Sequence, residues 1–303
     1  MSQFTSRSGQ VAGVAVVGAL LLSGCGSEGP QGDKVSLHDR LPKAVRTAGV
    51  IRVGGSFTAA PVIFKNAQGQ PDGLDVDLAA AMEKELGVRL EFEDAGPFAN
   101  VLPGLFEKKY DIGMSGITDT RERQLGVDKN DQPINEGVDF VDYFMAGIGM
   151  VVSKGNPKKV AAIDDLCGRS VAVKKGTTHN DLVARQQKAC EHTGKLLKML
   201  ETSADAEALE LVRTGTAEVY VTDYPKAQHN ATTIGEGKTY DLAGPQIQSR
   251  PFGIAVRKSD RELRDVLMKA MNALIRNGTY DELLAKRQLG AGAIQNSVVN
   301  GSQ

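Results

Sequence analysis

Apolar and polar positions in the first half of the chain follow two patterns in turn, one typical of β-strands and one typical of amphipathic helices. Short β-prone runs alternate with stretches in which apolar residues recur every three or four positions, as in an amphipathic helix. In the longest such stretch Leu78, Met82 and Leu86 lie on one face, and Gly87 is the predicted C-terminal cap. The predicted elements are strands at residues 50–54, 88–92 and 110–115 and helices at residues 74–86 and 98–108. This order favours a parallel sheet with right-handed crossovers.

The same pattern starts again after residues 125–138, a polar, turn-rich segment that is predicted to be a surface insertion. The elements predicted beyond it are strands at residues 147–153, 170–174, 198–201, 217–222 and 252–256 and helices at residues 178–190, 203–214, 261–276 and 280–286. Residues 290–303 lack periodicity and are predicted to be disordered. The chain therefore has room for two α/β units of ordinary size.

The N-terminal segment has the features of a secretory signal. One arginine, Arg7, precedes the apolar residues 11–22, a run shorter than the roughly 20 residues that span a bilayer. Residues 22–25 (LSGC) resemble the lipobox of lipoproteins, which predicts a signal peptide at residues 1–24 and a lipid on Cys25. Residues 25–40 would be a flexible tether. The alternative is an ordinary signal peptide followed by a chance cysteine.

Composition and charge narrow the function classes. The chain has 36 Lys and Arg against 37 Asp and Glu, so nothing indicates a nucleic-acid partner. With Cys25 lipidated, Cys167 and Cys190 remain as a pair in an oxidising compartment, and we expect a disulfide between them. Two buried free thiols are the alternative. The four histidines lack metal-ligand spacing and no nucleophile or phosphate-loop motif is found, so we expect no catalytic residue, metal or cofactor.

Polar residues follow three of the predicted strands. They form the segments 115–118 (SGIT), 174–178 (KKGTT) and 222–225 (TDYP). In open α/β sheets, ligands bind beyond the carboxyl ends of the strands, near helix N-termini. Taken singly, each segment is better explained as a turn or a helix N-cap. Taken together, the three favour a binding site.

Several segments together resemble the family 3 solute-binding proteins of ABC importers, which bind polar amino acids. They are GVIRVGG at Gly49, QPDGLDVDLAAAMEKELGV at Gln70, FANVLPGLFEKKYDIGMSGITDTRER at Phe98, DFVDYF at Asp139, IDDLCGRSVAVKKGTT at Ile163 and RPFGIAVRKSDRELRDVLMKAMNALIRNGTYDELLAKR at Arg250. The resemblance implies an α/β, two-lobed type II periplasmic-binding-protein fold with the ligand between the lobes. Lobe I would comprise residues 41–144 and 252–289, and lobe II residues 148–247.

The resemblance also implies which residues hold the ligand's head group. Arg123 matches the arginine that pairs with the α-carboxylate, with Thr118 and Gly116 beside it, and Thr178 matches a contact from the second lobe. Asp223 matches the acid that receives the α-ammonium. The planar guanidinium fork suits a carboxylate. Without the resemblance, Arg123 would be interpreted as a surface arginine at a helix start.

Residues around the ligand's side chain depart from the family in part. Phe98 matches an aromatic wall, although by pattern alone it is a core helix residue, and Lys174 matches a position facing the side chain. Many relatives place an acid and an aromatic residue where this chain has Ser56 and Ala59. Phe57, which lies between them, is a candidate to replace the aromatic residue. Both Ser56 and Phe57 are candidate ligand contacts. Loss of that acid weakens the case for a cationic ligand, and Lys174 favours an amide or an acidic side chain.

Together these features predict a monomeric lipoprotein on the outer face of the cell membrane that binds a small polar amino acid and delivers it to ABC permease subunits. Two other functions fit the same scaffold. One is a periplasmic dehydratase of aromatic amino-acid synthesis, which would need a second acid near Asp223. The other is a ligand-sensing module that signals through a partner.

Overall fold

The computed structural model describes residues 36–302 of the chain. The predicted signal peptide, the lipidation site Cys25 and most of the predicted tether lie outside the described residues. The α-helices are α1 (Lys43–Ala48), α2 (Leu74–Leu86), α3 (Val101–Phe106), α4 (Arg121–Leu125), α5 (Thr178–Glu191), α6 (Asp205–Arg213), α7 (Tyr224–Thr233), α8 (Arg261–Arg276) and α9 (Thr279–Lys286). None of these helices has the length and apolar character that a bilayer span requires.

The strands of the described region form one large and one small sheet. They are β1 (Val50–Gly55), β2 (Thr58–Ala59), β3 (Ile63–Lys65), β4 (Pro71–Asp72), β5 (Arg89–Asp94), β6 (Ile112–Gly113), β7 (Val138–Ser153), β8 (Ser170–Lys174), β9 (Lys198–Thr202), β10 (Val219–Asp223) and β11 (Tyr240–Arg257). The large sheet has the order β5-β1-β6-β11-β7-β10-β8-β9, and the small one β2-β3-β4. Pairing is parallel in the β5-β1-β6 and β10-β8-β9 groups and antiparallel around β7 and β11.

Two separate apolar cores lie on either side of the central strands. The largest cluster draws on residues 41–146 and 252–289, and smaller clusters around Tyr110 and Phe57 adjoin it. Two further clusters draw only on residues 148–243. We call the first region lobe I and the second lobe II. Helix α2 illustrates the packing of lobe I, because Leu78, Met82 and Leu86 are fully buried and Gly87 ends the helix at a φ of 67°.

Strands β7 and β11 run through both lobes and are the chain's crossings between them. Each is much longer than the strand predicted there, because the apolar run at residues 138–146 continues directly into residues 147–153. Their pairing is irregular where the lobes meet: register shifts lie between Ala243 and Ile247 and between Ile247 and Arg250. Such irregularities bend a strand locally. The parallel strands of each lobe end in loops and helix starts that contribute to the cleft beside these crossings.

Lobe II contains the predicted disulfide. Cys167 and Cys190 are bonded, with Cα atoms 5.2 Å apart and a sequence separation of 23. Cys190 is fully buried at the end of α5, and Cys167 follows the short 3₁₀ turn Ile163–Leu166. The bond ties α5 to the loop before β8 and stays within lobe II.

The prediction that the C-terminal residues are disordered is wrong for residues 290–302. Val299 pairs with Val141 of β7, and the Ser297 hydroxyl donates a hydrogen bond of 2.6 Å to the Asp142 carbonyl. The Gly301 N–H donates to the Asp142 carboxylate at 2.9 Å. The segment lacks periodicity because it packs through single residues and backbone pairing and not through a repeating face.

Two other predictions also need correction. The helix expected at residues 98–108 is a 3₁₀ turn (Phe98–Asn100) followed by α3, in which Pro103 falls in the first turn, where a missing N–H is tolerated. The last part of the expected tether is structured, since His38–Arg40 form a 3₁₀ turn and His38 Nδ1 lies 3.1 Å from the Leu86 carbonyl oxygen.

Candidate functional site

The cleft between the lobes contains a small inner cavity lined by polar and charged groups from both. Its free volume is about 10 Å³, enough for about one water molecule. The lining residues are Phe98, Ser115, Gly116, Thr118 and Arg123 from lobe I and Lys174, Thr177, Thr178, His179, Asp223 and Lys226 from lobe II. Seven of the nine candidate ligand contacts predicted from the sequence line this cavity, namely Arg123, Asp223, Thr118, Gly116, Thr178, Phe98 and Lys174, whereas Ser56 and Phe57 do not. The structure therefore brings the principal candidate residues together.

Arg123 is positioned by the start of α4. Thr120 caps that helix by accepting the Arg123 N–H at 3.3 Å, which fixes the backbone of the arginine. The guanidinium donates to the Thr118 carbonyl at 2.8 Å and to the Gly176 carbonyl of lobe II at 3.2 Å. Its carbon lies 5.6 Å from the centroid of the Phe98 ring. Burial lowers the pKa of Arg123 although acids around it oppose that change, and an arginine keeps its charge at neutral pH.

The turn that carries Gly176 brings lobe II close to lobe I. Gly176 has a φ of 75°, and a Cβ added there would lie 3.0 Å from the Ala99 side chain of lobe I. Thr177 follows, caps α5 through the Asn180 N–H at 3.1 Å, and places Thr178 in the first turn. The N–H groups of a first helical turn carry partial positive charge and favour a carboxylate.

Asp223 ends β10, begins α7 and is already paired with two basic side chains. Its carboxylate lies 2.5 Å from Lys226 Nζ and 3.0 Å from His179 Nε2, and all three residues are buried. Burial alone would raise the pKa of Asp223, but the charges of Lys226 and His179 outweigh it and hold that pKa well below the usual range. Asp223 is thus ionised and is fixed in position by its partners.

A second buried acid, Asp205 at the start of α6, joins the two lysines. Lys174 Nζ lies 2.5 Å from the Asp205 carboxylate and Lys226 Nζ lies 3.6 Å from it, and the Tyr220 hydroxyl also donates to it. Burial opposes ionisation of Asp205, yet Lys226 and Lys174 lower its pKa to about 2. Lys174 also lies 5.3 Å from the centroid of the Phe98 ring. We call Lys174, Asp205, Lys226, Asp223 and His179 the lobe II charge network.

Gly116 is held in place by an acid beneath it. Its N–H donates to Asp75 at 2.9 Å, and the Tyr143 hydroxyl donates to the other oxygen of that carboxylate at 2.6 Å. Burial raises the pKa of Asp75 to about 7 in spite of these hydrogen bonds. Gly116 has a φ of 57°, which suits glycine, and it lies against Phe252 of β11.

The expectation that Phe57 contacts the ligand is corrected by the structure. Its ring packs with Ala59 and Ile63 and makes an edge contact with Phe92 at 6.0 Å, so its role is in the lobe I core. Ser56 is buried but is not among the residues that line the inner cavity. Its neighbour Thr58 donates to Asp205 at 3.4 Å and so links lobe I to the lobe II charge network. That contact comes from the first residue of β2, two residues beyond Ser56.

Three members of the charge network were not predicted from the sequence: Asp205, Lys226 and His179. The sequence positions of Asp205 and Lys226 could have indicated their place in the site. Asp205 follows β9 and Lys226 lies one helical turn after Asp223, so both belong to the carboxyl-end edge at which the site was expected. His179 is the residue after Thr178 and was judged only for metal-ligand spacing. No cluster of potential metal ligands is found in residues 36–302.

The inner cavity opens into a larger outer cavity of about 560 Å³, within the size range of ligand pockets. Arg123, Thr118, Thr178, His179 and Asp223 border both. The outer cavity also has acids and bases that do not line the inner cavity, namely Glu122, Asp128, Lys129, Asp181, Arg185 and Arg250. It is the polar mouth of the same cleft.

Comparison with known proteins agrees with this architecture. The chain is 27% identical to the arginine-binding protein ArgT of Corynebacterium glutamicum over 86% of this chain and 81% of that protein. It is 28% identical to the ABC transporter glutamine-binding protein GlnH of Bacillus subtilis over 90% and 94% of the two chains. The solved structure of the ancestral amino acid-binding protein AncCDT-1, a precursor of cyclohexadienyl dehydratase, matches with a TM-score of 0.69 and 32% identity, over 80% of this chain and 97% of that one.

The structural likeness confirms the predicted α/β, two-lobed type II periplasmic-binding-protein fold. Residues 51–287 match the sequence profile of the family described as bacterial extracellular solute-binding proteins, family 3. That range contains β1 through α9 and all of the residues that line the cleft. The chain belongs to the bacterial extracellular solute-binding proteins of family 3.

Proposed function

We propose that the protein is an extracytoplasmic substrate-binding protein of an ABC importer and that it binds a polar amino acid in the cleft. The observation that carries this proposal is that Arg123 of lobe I and Asp223 of lobe II line one inner cavity. These groups complement the carboxylate and the ammonium of an amino-acid head group. Relatives named for binding arginine and glutamine support the same class of ligand.

The chemistry of the head-group site is that of charge-assisted hydrogen bonds. Arg123 is held by carbonyl oxygens, so its remaining N–H groups are available for a carboxylate. The first turn of α5, with Thr178, offers further donors from the other lobe. Each charge-assisted bond contributes roughly 1.5–3 kcal/mol, and a few of them give micromolar or tighter binding after the costs of ordering are subtracted.

Binding would proceed by opening and closure of the lobes. An inner cavity of about 10 Å³ cannot admit an amino acid without separation of Phe98 and Arg123 from Lys174 and Gly176. The crossings β7 and β11 are where such a motion would bend. Closure would then surround the ligand with groups from both lobes and present the closed form to a permease.

The proposal is tested by calorimetric titration of the mature protein with the common L-amino acids. We expect at least one polar amino acid to bind with micromolar or lower Kd, and the same ligand to raise the unfolding temperature. Small-angle scattering with that ligand should give a radius of gyration no larger than without it. If none of the amino acids binds, the proposed function is wrong.

We also propose that the mature protein is anchored through a lipid on Cys25 and acts as a monomer beside its permease. Mass spectrometry of the membrane fraction from a bacterial host should find the diacylglyceryl modification on Cys25. The Cys25→Ser variant should leave that fraction. A variant that stays in the membrane fraction would favour an ordinary signal peptide or another anchor.

Binding without turnover is the proposed activity, in keeping with the relatives' names. The similarity to a precursor of cyclohexadienyl dehydratase makes one direct check worthwhile. The Asp223 carboxylate is paired with Lys226 and His179, and this arrangement suits a fixed charge better than a group that carries protons. Turnover of prephenate or arogenate by the purified protein would contradict the proposal.

A further inference from the structure

We propose that the ligand of this cleft is a dicarboxylate of the amino-acid class, that is, an amino acid whose side chain ends in a carboxylate. The inference rests on the proposed function and specifies its substrate class. It is carried by two buried lysines, Lys174 and Lys226, which give the ligand-facing groups an excess of positive charge.

Both lysines are part of the cleft wall and neither is a surface residue. Lys174 is 4% exposed and Lys226 is 6% exposed, and the two line the inner cavity together with Arg123. Lysine is almost never so fully buried unless it is paired. Each lysine has an acid at 2.5 Å, Asp205 for Lys174 and Asp223 for Lys226, and the Asp223 carboxylate also faces the head-group site.

The charges at the inner cavity do not balance. Arg123, Lys174 and Lys226 line it against Asp223 and the paired Asp205, which leaves a surplus of one positive charge. The acids Glu122 and Asp181 lie in the outer cavity. A zwitterionic head group is neutral and leaves the surplus unchanged. A carboxylate on the ligand's side chain compensates it, and an uncompensated buried charge is costly.

Two of the cations that make up the surplus positive charge lie beside the Phe98 ring. Arg123 and Lys174 lie 5.6 Å and 5.3 Å from its centroid. Arg123 belongs to lobe I and Lys174 to lobe II, so the ring has a cation from each lobe beside it. A ligand that gives its α-carboxylate to Arg123 therefore extends along Phe98 towards the ammonium of Lys174. That ammonium can turn from Asp205 to a ligand carboxylate while Lys226 keeps Asp205 compensated.

The same arrangement disfavours a cationic side chain. A ligand guanidinium or ammonium beside Phe98 would meet Lys174 with Lys226 close behind it. Like charges in contact repel strongly at the effective dielectric of a protein surface. The residue after β1 that could have offered a counter-charge is Ser56, which has none. The named arginine specificity of some relatives is therefore not expected for this chain.

The test is a comparison of acid and amide within the same carbon skeleton. Calorimetry at one pH and one salt concentration would use L-glutamate with L-glutamine, L-aspartate with L-asparagine, and L-arginine. We expect at least one acid to bind tenfold or more tightly than its own amide, about 1.4 kcal/mol, and more tightly than L-arginine. An amide or L-arginine that binds as tightly as the tighter-binding acid overturns the inference. In that case an amino acid still binds and the proposed function survives; if nothing binds, both fail.

A variant then assigns the preference to Lys174. Lys174→Gln should lower the acid-to-amide affinity ratio at least tenfold while changing the Kd of the amide much less. The neighbouring Lys175→Gln, at an exposed position, is the matched control and should keep the ratio. If Lys174→Gln does not fold, Lys174→Gln/Asp205→Asn removes the pair as a unit and is compared in the same way. An unchanged ratio in the folded variant overturns the assignment.

Discussion

Lys226 Nζ lies 2.5 Å from the Asp223 carboxylate, and both side chains are buried in lobe II. The acid assigned to the ligand's ammonium is therefore also the counter-ion of a lysine one helical turn further along the chain. His179 takes the other carboxylate oxygen at 3.0 Å. Asp223 has a structural task as well as a binding task, so its replacement should affect folding and affinity together.

Asp223→Asn should destabilise the protein by about 3–5 kcal/mol, because it breaks a buried ion pair and leaves Lys226 with Asp205 at 3.6 Å as its nearest acid. Urea denaturation followed by circular dichroism measures the loss. Amino-acid affinity should fall at least tenfold, about 1.4 kcal/mol, in the same variant.

The double variant Asp223→Asn/Lys226→Met separates the role of Asp223 in folding from its role in ligand binding. Removal of both charges should restore most of the lost stability, because no uncompensated ion remains, whereas affinity should stay low. Equal stability of Asp223→Asn and the parent would show that the pair contributes nothing to folding.

Arg123→Ala should weaken amino-acid binding at least tenfold, about 1.4 kcal/mol, because the α-carboxylate loses its bidentate partner. Calorimetry with the ligand of the parent protein gives the comparison. Arg121→Ala is the matched control: Arg121 is two residues earlier on the same helix, exposed and paired with Asp131. Parent-like affinity in Arg123→Ala would mean that the head group is bound elsewhere.

Replacement of both Cys167 and Cys190 by serine should cost about 3 kcal/mol of stability, the chain-entropy value for a loop of this length. The bond stays within lobe II and away from the cleft-lining residues, so the ligand's Kd should change less than threefold. Denaturation of the parent with and without a reductant provides the control. A large change in Kd would instead indicate that the bond positions α5 and Thr178.

Stability should fall as the pH rises from about 4 to about 7 through the contribution of Asp142. Burial, with nearby Asp119, raises the pKa of Asp142 to about 7 in the folded protein. The folded state thus holds a proton that the unfolded state releases above about pH 4, so the linkage favours folding at the lower pH. Gly301 covers one oxygen of this carboxyl, and the other is buried without a partner among the described residues.

Asp142→Asn removes this titration. The change in its free energy of unfolding between pH 5 and pH 8 should therefore be smaller than the change in the parent, by at least about 1 kcal/mol. Asp281→Asn, at an exposed position on α9, is the control and should follow the parent. The same pH dependence in all three proteins would show that Asp142 does not titrate in this range.

Local periodicity was enough to predict the elements whose apolar faces repeat. Helices α2 and α8 and strand β8 have the predicted bounds, and the carboxyl ends of the parallel strands do carry the cleft residues. The extent of β7 and β11 could not be predicted in this way, because their length depends on pairing with each other across the lobes. The order of residues 290–302 likewise depends on β7, which is far away in sequence.

Only part of the site could be predicted, because some of its residues are brought together from distant parts of the sequence. Thr118 and Asp223 lie at or soon after strand ends, where the pattern predicts a site, whereas the role of Arg123 follows only from the family resemblance. The burial of Lys174 and Lys226 together against Asp205 depends on three different strand ends, and no spacing along the sequence reveals it. Phe57 was predicted wrongly because the sequence cannot show which way a loop residue beside β1 points.

The crossing strands have a consequence for engineering. Ile148 and Ile247 are paired neighbours on β7 and β11, so the chain enters and leaves lobe II at adjacent points. A segment whose two ends meet in this way can be exchanged as a cassette. Lobe II of a relative with another preference could be grafted between these two strands. Such a graft would move Lys174, Asp205 and Lys226 as a single unit and leave Arg123 and the remainder of the host protein in place.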